Sequence, residues 1–275
     1  MSNKPLQREH DPCCHRAAKR FKQQKKHLYL ILDDWERGYG VYKIDVDDFD
    51  SSAAGARPEP LPETPVVRFE ARHGGSRRRS PSAPGHAPAG GGNEVLLKPL
   101  FASVAGSLYL LRGGHFDVLS AAPPPPPDSR SRREDTAWAW SRVPLLPPFD
   151  DSNRISSFAL HPDGRTLFVS QDQSTFSFDT ESQEWAAHGN WTLPIKGQAY
   201  FDGELDAWVG LCCHKGGEGY ICSADVTPAA ADCRRLPAWK LGKELVFDAG
   251  SRRHLGAKLV YMGDTRYCLV ESLAL

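Results

Sequence analysis

Cys212-Cys213-His214, followed by Cys222 and Cys233, is the one cluster in the sequence with the residue types of a metal site. Thiolates and imidazole are zinc ligands, but structural zinc sites draw them in short pairs such as C-x2-C. Adjacent residues on a strand point to opposite faces, so at most one of Cys212 and Cys213 could join Cys222. Free thiols packed within strands fit this spacing better, and no metal ligand is assigned. Cys13-Cys14-His15 lies in a polar tail and offers no better set. Acidic residues gather at Asp33, Asp34, Glu36, Asp45, Asp47, Asp48 and Asp50, where a paired general acid and base could be sought. They fall in turns or at strand ends, positions where carboxylates cap backbone groups or face water. No Gly-x-Ser-x-Gly elbow, phosphate loop, dinucleotide fingerprint or His-Glu-x-x-His helix occurs. The sequence therefore yields no catalytic, cofactor-binding or metal residue, and the expectation is a protein that is not an enzyme and carries no cofactor.

Charge gives little direction. The 275 residues hold 34 Lys+Arg against 34 Asp+Glu, so no basic domain stands behind the two cationic clusters, Lys19 to Lys26 and Arg77-Arg78-Arg79. Nucleic acid is thus a disfavoured partner, while the first cluster retains the pattern of a nuclear import signal. Residues 1–26 carry eight Lys/Arg, two acids and no apolar stretch of signal-peptide type. No run approaches the 18 apolar residues of a membrane span. Seven cysteines without framework spacing fit a reducing compartment. The expected residence is intracellular, cytoplasmic with access to the nucleus, and away from membranes.

The elements that would position any site are short. Leu28–Leu32, Leu108–Leu111, Leu167–Val169, Ala207–Leu211 and Leu259–Met262 are runs of strand-forming residues bounded by turn formers. Each is followed by a second run: Val41–Ile44, His115–Leu119, Thr175–Phe178, Tyr220–Cys222 and Tyr267–Val270. Gly38 and Gly40, Gly113-Gly114, Gln171–Ser174, Lys215–Gly219 and Gly263-Asp264 supply the turns between them, so the recurring unit is a hairpin. The first runs begin at 28, 108, 167, 207 and 259, and the last three intervals match the span of a four-stranded propeller blade. Val66–Glu70 adds a strand inside the long first interval. No dozen-residue window carries a helical apolar stripe free of Gly or Pro, and the expected fold class is all-β. Residues 1–26 read as a basic flexible tail and 27–275 as one domain. Disordered insertions are expected at 72–94, which has almost no large apolar side chain, and at 121–136, which contains the five prolines Pro123–Pro127.

The most legible unit is 154–195. Ile155–Leu160 and Thr166–Ser170 flank His161-Pro162-Asp163-Gly164-Arg165, a turn in which Pro presets one φ and Gly accepts a positive one. A third strand ends at Phe178-Asp179-Thr180, and an acidic turn leads to Trp185. That order resembles a kelch blade, in which the outer-strand aromatic packs between neighbouring sheets. Read with Gly197–Leu211 and His254–Asp264, these phrases resemble a grass-lineage plant family of uncharacterised proteins, a domain of unknown function with kelch-like repeats. The resemblance covers most of residues 27–275 and carries no catalytic residues over. It implies a kelch-like β-propeller of about five to six blades. Against that family, part of a blade is expected to be missing between Phe69 and Phe101, and the resemblance implies a ring left incomplete toward the C-terminus. The function expected is a non-enzymatic protein-interaction scaffold with a protein partner, contacted through the loops Gln171–Ser174 and Lys215–Gly219. The alternative is an enzyme with a pocket at the channel mouth.

Overall fold

The structure is a computed structural model that describes residues 27–34, 38–45, 64–69, 99–112, 114–121, 138–149, 154–230 and 236–274. The chain divides into two compact units, 1–78 and 79–275. The expected tail 1–26 and insertion 72–94 lie outside the described residues, as does the insertion at 121–136 apart from Ala121.

In the first unit, β1 (His27–Asp34) and β2 (Gly38–Asp45) form a hairpin in continuous register from His27↔Asp45 to Asp34↔Gly38. The run at Val66–Glu70 supplies β3 (Val67–Phe69), antiparallel to β2.

The second unit is strand throughout its described elements. β4 (Leu100–Val104), β5 (Ser107–Arg112), β6 (His115–Ala121) and β7 (Trp138–Arg142) make a four-stranded meander. β8 (Ile155–Leu160), β9 (Thr166–Gln171), β10 (Ser174–Asp179) and β11 (Glu184–Gly189) repeat it. So do β12 (Ile195–Asp202), β13 (Ala207–Cys212), β14 (Tyr220–Asp225) and β15 (Trp239–Leu245). The second and third meanders join through β8 and β12, parallel at Gly197↔Ser157 to Ala199↔Ala159, into one eight-stranded sheet. β16 (His254–Gly263) and β17 (Arg266–Leu273) form a hairpin. Among the described residues the protein is all-β, and its sheets close into neither a barrel nor a ring.

Local chemistry sets the turns. Asp163 Oδ1 accepts the amides of Arg165 and Thr166 at 2.9 Å each, its Oδ2 accepts the Thr166 hydroxyl at 2.6 Å, and Gly164 takes φ +75°. Asp179 repeats the device, accepting the amides of Glu181 and Ser182. These carboxylates satisfy turn amides that the strand ladders leave free.

Burial follows from stacking. All six residues of β9 and all six of β13 are buried, as strands covered on both faces must be. Alternation sorts them: Leu167 and Val169 join Tyr109, Leu111, Phe116 and Phe178 in one core, while Phe168 joins Trp191, Ile195 and Trp208 in another. The first core cements the β4–β7 sheet to the second meander, and the second cements the second meander to the third. Trp185 lies in the first, with ring centroids 5.5 Å from Phe116, 5.5 Å from Phe149 and 5.1 Å from Phe178. The position expected for this tryptophan, between neighbouring sheets, is the one observed.

The last hairpin is the one the spacing predicts. Leu259–Met262 and Tyr267–Val270 align in sequence with the second and third strands of a meander. In space the β16–β17 turn meets the β12–β13 turn, where Tyr267 Oη donates to Asp202 Oδ2 at 2.9 Å and Thr265 Oγ1 to Asp202 Oδ1 at 3.2 Å. These two bonds fasten the turn of the hairpin to the third meander.

Phe178 is fully buried and touches Tyr109, Phe116 and Trp185. Phe178→Ala should cost about 3–5 kcal/mol by denaturant melts. Phe101→Ala, at a position 45% exposed, should stay within about 0.5 kcal/mol of the parent.

Candidate functional site

The connection from β11 to β12, residues 190–194, is held by side chains of the second meander. Thr175 Oγ1 donates to the Trp191 carbonyl at 2.6 Å, and the Leu193 amide donates to Ser170 Oγ at 3.1 Å. Trp191 Nε1 donates to the His188 carbonyl at 3.0 Å. The His188 ring is fully buried, with Nε2 2.8 Å from Ser177 Oγ and its centroid 4.7 Å from that of Phe168. Its Nδ1 is buried without a hydrogen-bond partner. Burial, and then the nearby His161, push its pKa below the ordinary histidine value.

The other side of this linker meets β13 and its loop. The Cys213 amide donates to the Pro194 carbonyl at 2.9 Å, and the Cys222 thiol donates to the same oxygen at 3.3 Å. Between the linker and the segments that follow lies a groove of about 390 Å³ lined by Asn190, Trp191, Thr192, Pro194, His214 and Trp239, with Leu236 and Pro237 at one side. His214 and Trp239 stack nearly parallel, 6° between planes and 4.6 Å between centroids. Its lining combines the aromatic rings of Trp191 and Trp239 and the two prolines with the polar side chains of Asn190, Thr192 and His214.

The cysteines singled out from sequence separate as strand geometry requires. Cys212 and Cys222 are buried in the core between the second and third meanders, and Cys213 is exposed. Burial raises the Cys222 pKa, and the neighbouring Cys212 and Cys213 thiols raise it further. Cys212, Cys213, Cys222 and Cys268 are free thiols. Among the described residues no three His, Cys, Asp or Glu side chains are grouped to hold a metal ion. Cys233 and Cys13-Cys14-His15 lie outside the described residues. Of the early acidic residues, Asp33 and Asp34 close β1 and Asp45 closes β2, while Glu36, Asp47, Asp48 and Asp50 are outside the described residues.

Asp202 is a buried carboxylate that no sequence motif marks. Burial raises its pKa, but the Tyr267 hydroxyl, the amides of Glu204 and Leu205, and the Thr265 hydroxyl outweigh that and hold the carboxyl below the usual range. Tyr267 is raised in turn, by burial first and then by the carboxylate it bonds. The only sequence signal was Asp202-Gly203, a turn dipeptide. The long-range partners at Thr265 and Tyr267 have none.

The chain belongs to a family described as a protein of unknown function, DUF1668, whose match runs over residues 86–274. That family, and nothing finer within it, is what the match defines. No curated protein matches the chain. Among solved structures, a 2S albumin seed protein from Dolichos is similar over 52% of this chain and 64% of its own length, at 13% identity and a TM-score of 0.31. At that score the likeness carries no argument about fold or activity. No described helix is long and apolar enough to cross a membrane.

Two outcomes check this geometry. Mass mapping of native protein treated with a thiol reagent should find Cys213 modified and Cys212 and Cys222 protected until the fold is denatured. Asp202 and Asp163, the latter held at about 2 by its turn, have folded pKa values below their unfolded ones. Their contribution to stability is therefore complete above the ordinary carboxylate pKa, about 3.9, and is lost as pH falls toward 2. Asp202→Asn should lower the denaturation midpoint at pH 6, and its deficit against the parent should hold down to about pH 4 and shrink as pH falls toward 2.

Proposed function

We propose that this protein is a non-enzymatic protein-interaction scaffold of kelch-like propeller type. The observation that carries the reading is the stacking of successive antiparallel four-stranded meanders, with β8 and β12 parallel at their junction. In a propeller the blades follow one another in that manner, with their first strands side by side. Parallel first strands have a topological consequence. The loops joining second to third strands, Gln171–Ser174 and Lys215–Gly219, leave successive meanders in the same direction. They form one face on a rigid support, the arrangement in which loops serve recognition. The aromatic groove stands beside the second of them, with His214 in its wall. A protein partner offering apolar or aromatic side chains suits such a surface. The grass-lineage kinship belongs to the same reading and adds no residue to it.

The test uses substitutions that leave the loop backbones intact. Asp172 has φ +52° and accepts glycine there, so Asp172→Gly with Gln173→Ser alters the first loop. Lys215→Ser with Glu218→Ser alters the second. Gly219 is kept, because φ is +85° and a Cβ would collide with the Phe247 carbonyl. Both double variants should melt within about 1 kcal/mol of the parent. They should also weaken, at least tenfold, the binding of a partner recovered from the source tissue with the parent protein. Unchanged binding in both, or saturable turnover of a metabolite abolished by one substitution in the groove, would defeat the scaffold reading.

A further inference from the structure

The groove beside the linker 190–194 has rings in its walls and no permanent charge. Trp191, Pro194 and Pro237 are buried parts of it, while His214 and Trp239 remain exposed. No Lys, Arg, Asp or Glu lines it. We propose, given the scaffold reading, that this groove takes an uncharged proline-rich segment of a protein partner in the polyproline II conformation, with Trp239 as the residue on which affinity depends most.

Charge sets the ligand class. A phosphate or carboxylate ligand calls for a cation in the wall and an amine for an anion, and the lining holds neither. In the adjoining loop Lys215 and Glu218 are opposite in sign, and the Glu218 carboxylate is engaged by the Gly216 amide at 2.7 Å. Ring surface narrows it. His214 and Trp239 stack at 4.6 Å, which holds the Trp239 ring while leaving the residue 38% exposed. A ring already held loses little freedom when a ligand settles on it, and prolines are the rigid apolar blocks that aromatic-lined grooves accept. Hydrogen bonding selects the backbone. The side chains of Asn190, Thr192 and Trp239 bond to no described residue, so an amide, a hydroxyl and an indole N–H are open as donors. A polyproline II segment makes no internal hydrogen bonds, and its carbonyls are free to accept them. Its prolines bring no N–H to be stranded against Pro194 and Pro237. A helical ligand spends its carbonyls internally. An added strand needs a free ladder edge, whereas the linker's Trp191 and Pro194 carbonyls and Leu193 amide are already bonded. The groove's volume of about 390 Å³ fits a few residues of one segment.

The test titrates the purified protein with a blocked decaproline peptide and with a blocked alanine–serine peptide of the same length, following amide and indole signals by NMR. Decaproline should shift the Trp239 indole signal and the Asn190 and Thr192 amides saturably, and the control peptide should not. Trp239→Ala should weaken decaproline binding at least about tenfold and His214→Ala should weaken it less, while Leu205→Ala, exposed at the opposite end of β13, should leave it unchanged. Equal binding of the two peptides, or decaproline binding that survives Trp239→Ala, overturns the proposal. If Trp239→Ala does not fold, the parent alone decides, since saturable shifts confined to residues away from the groove overturn it as well. Binding that appears only after Pro123–Pro127 are replaced by serine assigns the groove to the chain's own proline run and overturns the partner. No recovered partner enters this experiment, so its failure leaves the scaffold reading to be judged by the loop variants alone.

Discussion

Aromatic side chains wedged between successive sheets are the interaction on which the rest of this protein depends. A four-stranded antiparallel sheet of six-residue strands has two faces and too little area to stabilise itself, so it persists only where both faces are covered. Phe116, Phe178 and Trp185 cover one interface with centroid separations of 4.8 to 5.5 Å in tilted or edge-on geometry. Phe168 and Trp208 do the same at the next, 5.1 Å apart. Each large ring removes the apolar surface of two sheets from water at once. Removing one leaves a cavity that neither sheet can close without leaving the other.

Stacking of this kind creates a polar problem at every crossing between sheets, because the chain must leave one ladder and enter the next with its amides unpaired. The β11-to-β12 crossing solves it with short hydroxyl side chains. Ser170 and Thr175 bond each other at 2.8 Å and reach the Leu193 amide and the Trp191 carbonyl. Trp208, fully buried, spends its indole N–H on the Leu160 carbonyl at 3.0 Å. Asp202 serves the next crossing, fixing its own turn through two amides and the β16–β17 turn through two hydroxyls. Apolar packing decides that the sheets adhere, and these directed bonds decide at what offset.

The groove is a consequence of both constraints. The linker is drawn down onto the second meander by Ser170 and Thr175, while the β13–β14 loop is held at the Pro194 carbonyl by Cys213, and the space between them is left open. Its walls are therefore parts of the structural scaffold rather than additions to it. Occupancy and stability are coupled at this place, since any group that moves the linker also disturbs the interface between two meanders.

Sequence determined the local facts. Short apolar runs such as Leu167–Val169 and Ala207–Leu211 read as strands, because no dozen-residue window around them carries a helical apolar stripe, and each became a buried central strand. The turn at Asp163-Gly164 was legible because its chemistry is complete within six residues. Trp185 was legible because the order of strand, acidic turn and aromatic is local too. What only the tertiary structure decided were the relations between distant segments: the parallel pairing of β8 with β12, the burial of His188 with one nitrogen unpartnered, and the capture of Thr265 and Tyr267 by Asp202. A residue type records the polarity of its surroundings and not the address of its partner. A histidine in Ala187-His188-Gly189 or an aspartate before Gly203 therefore reads as surface until sheet stacking brings an opposing element over it.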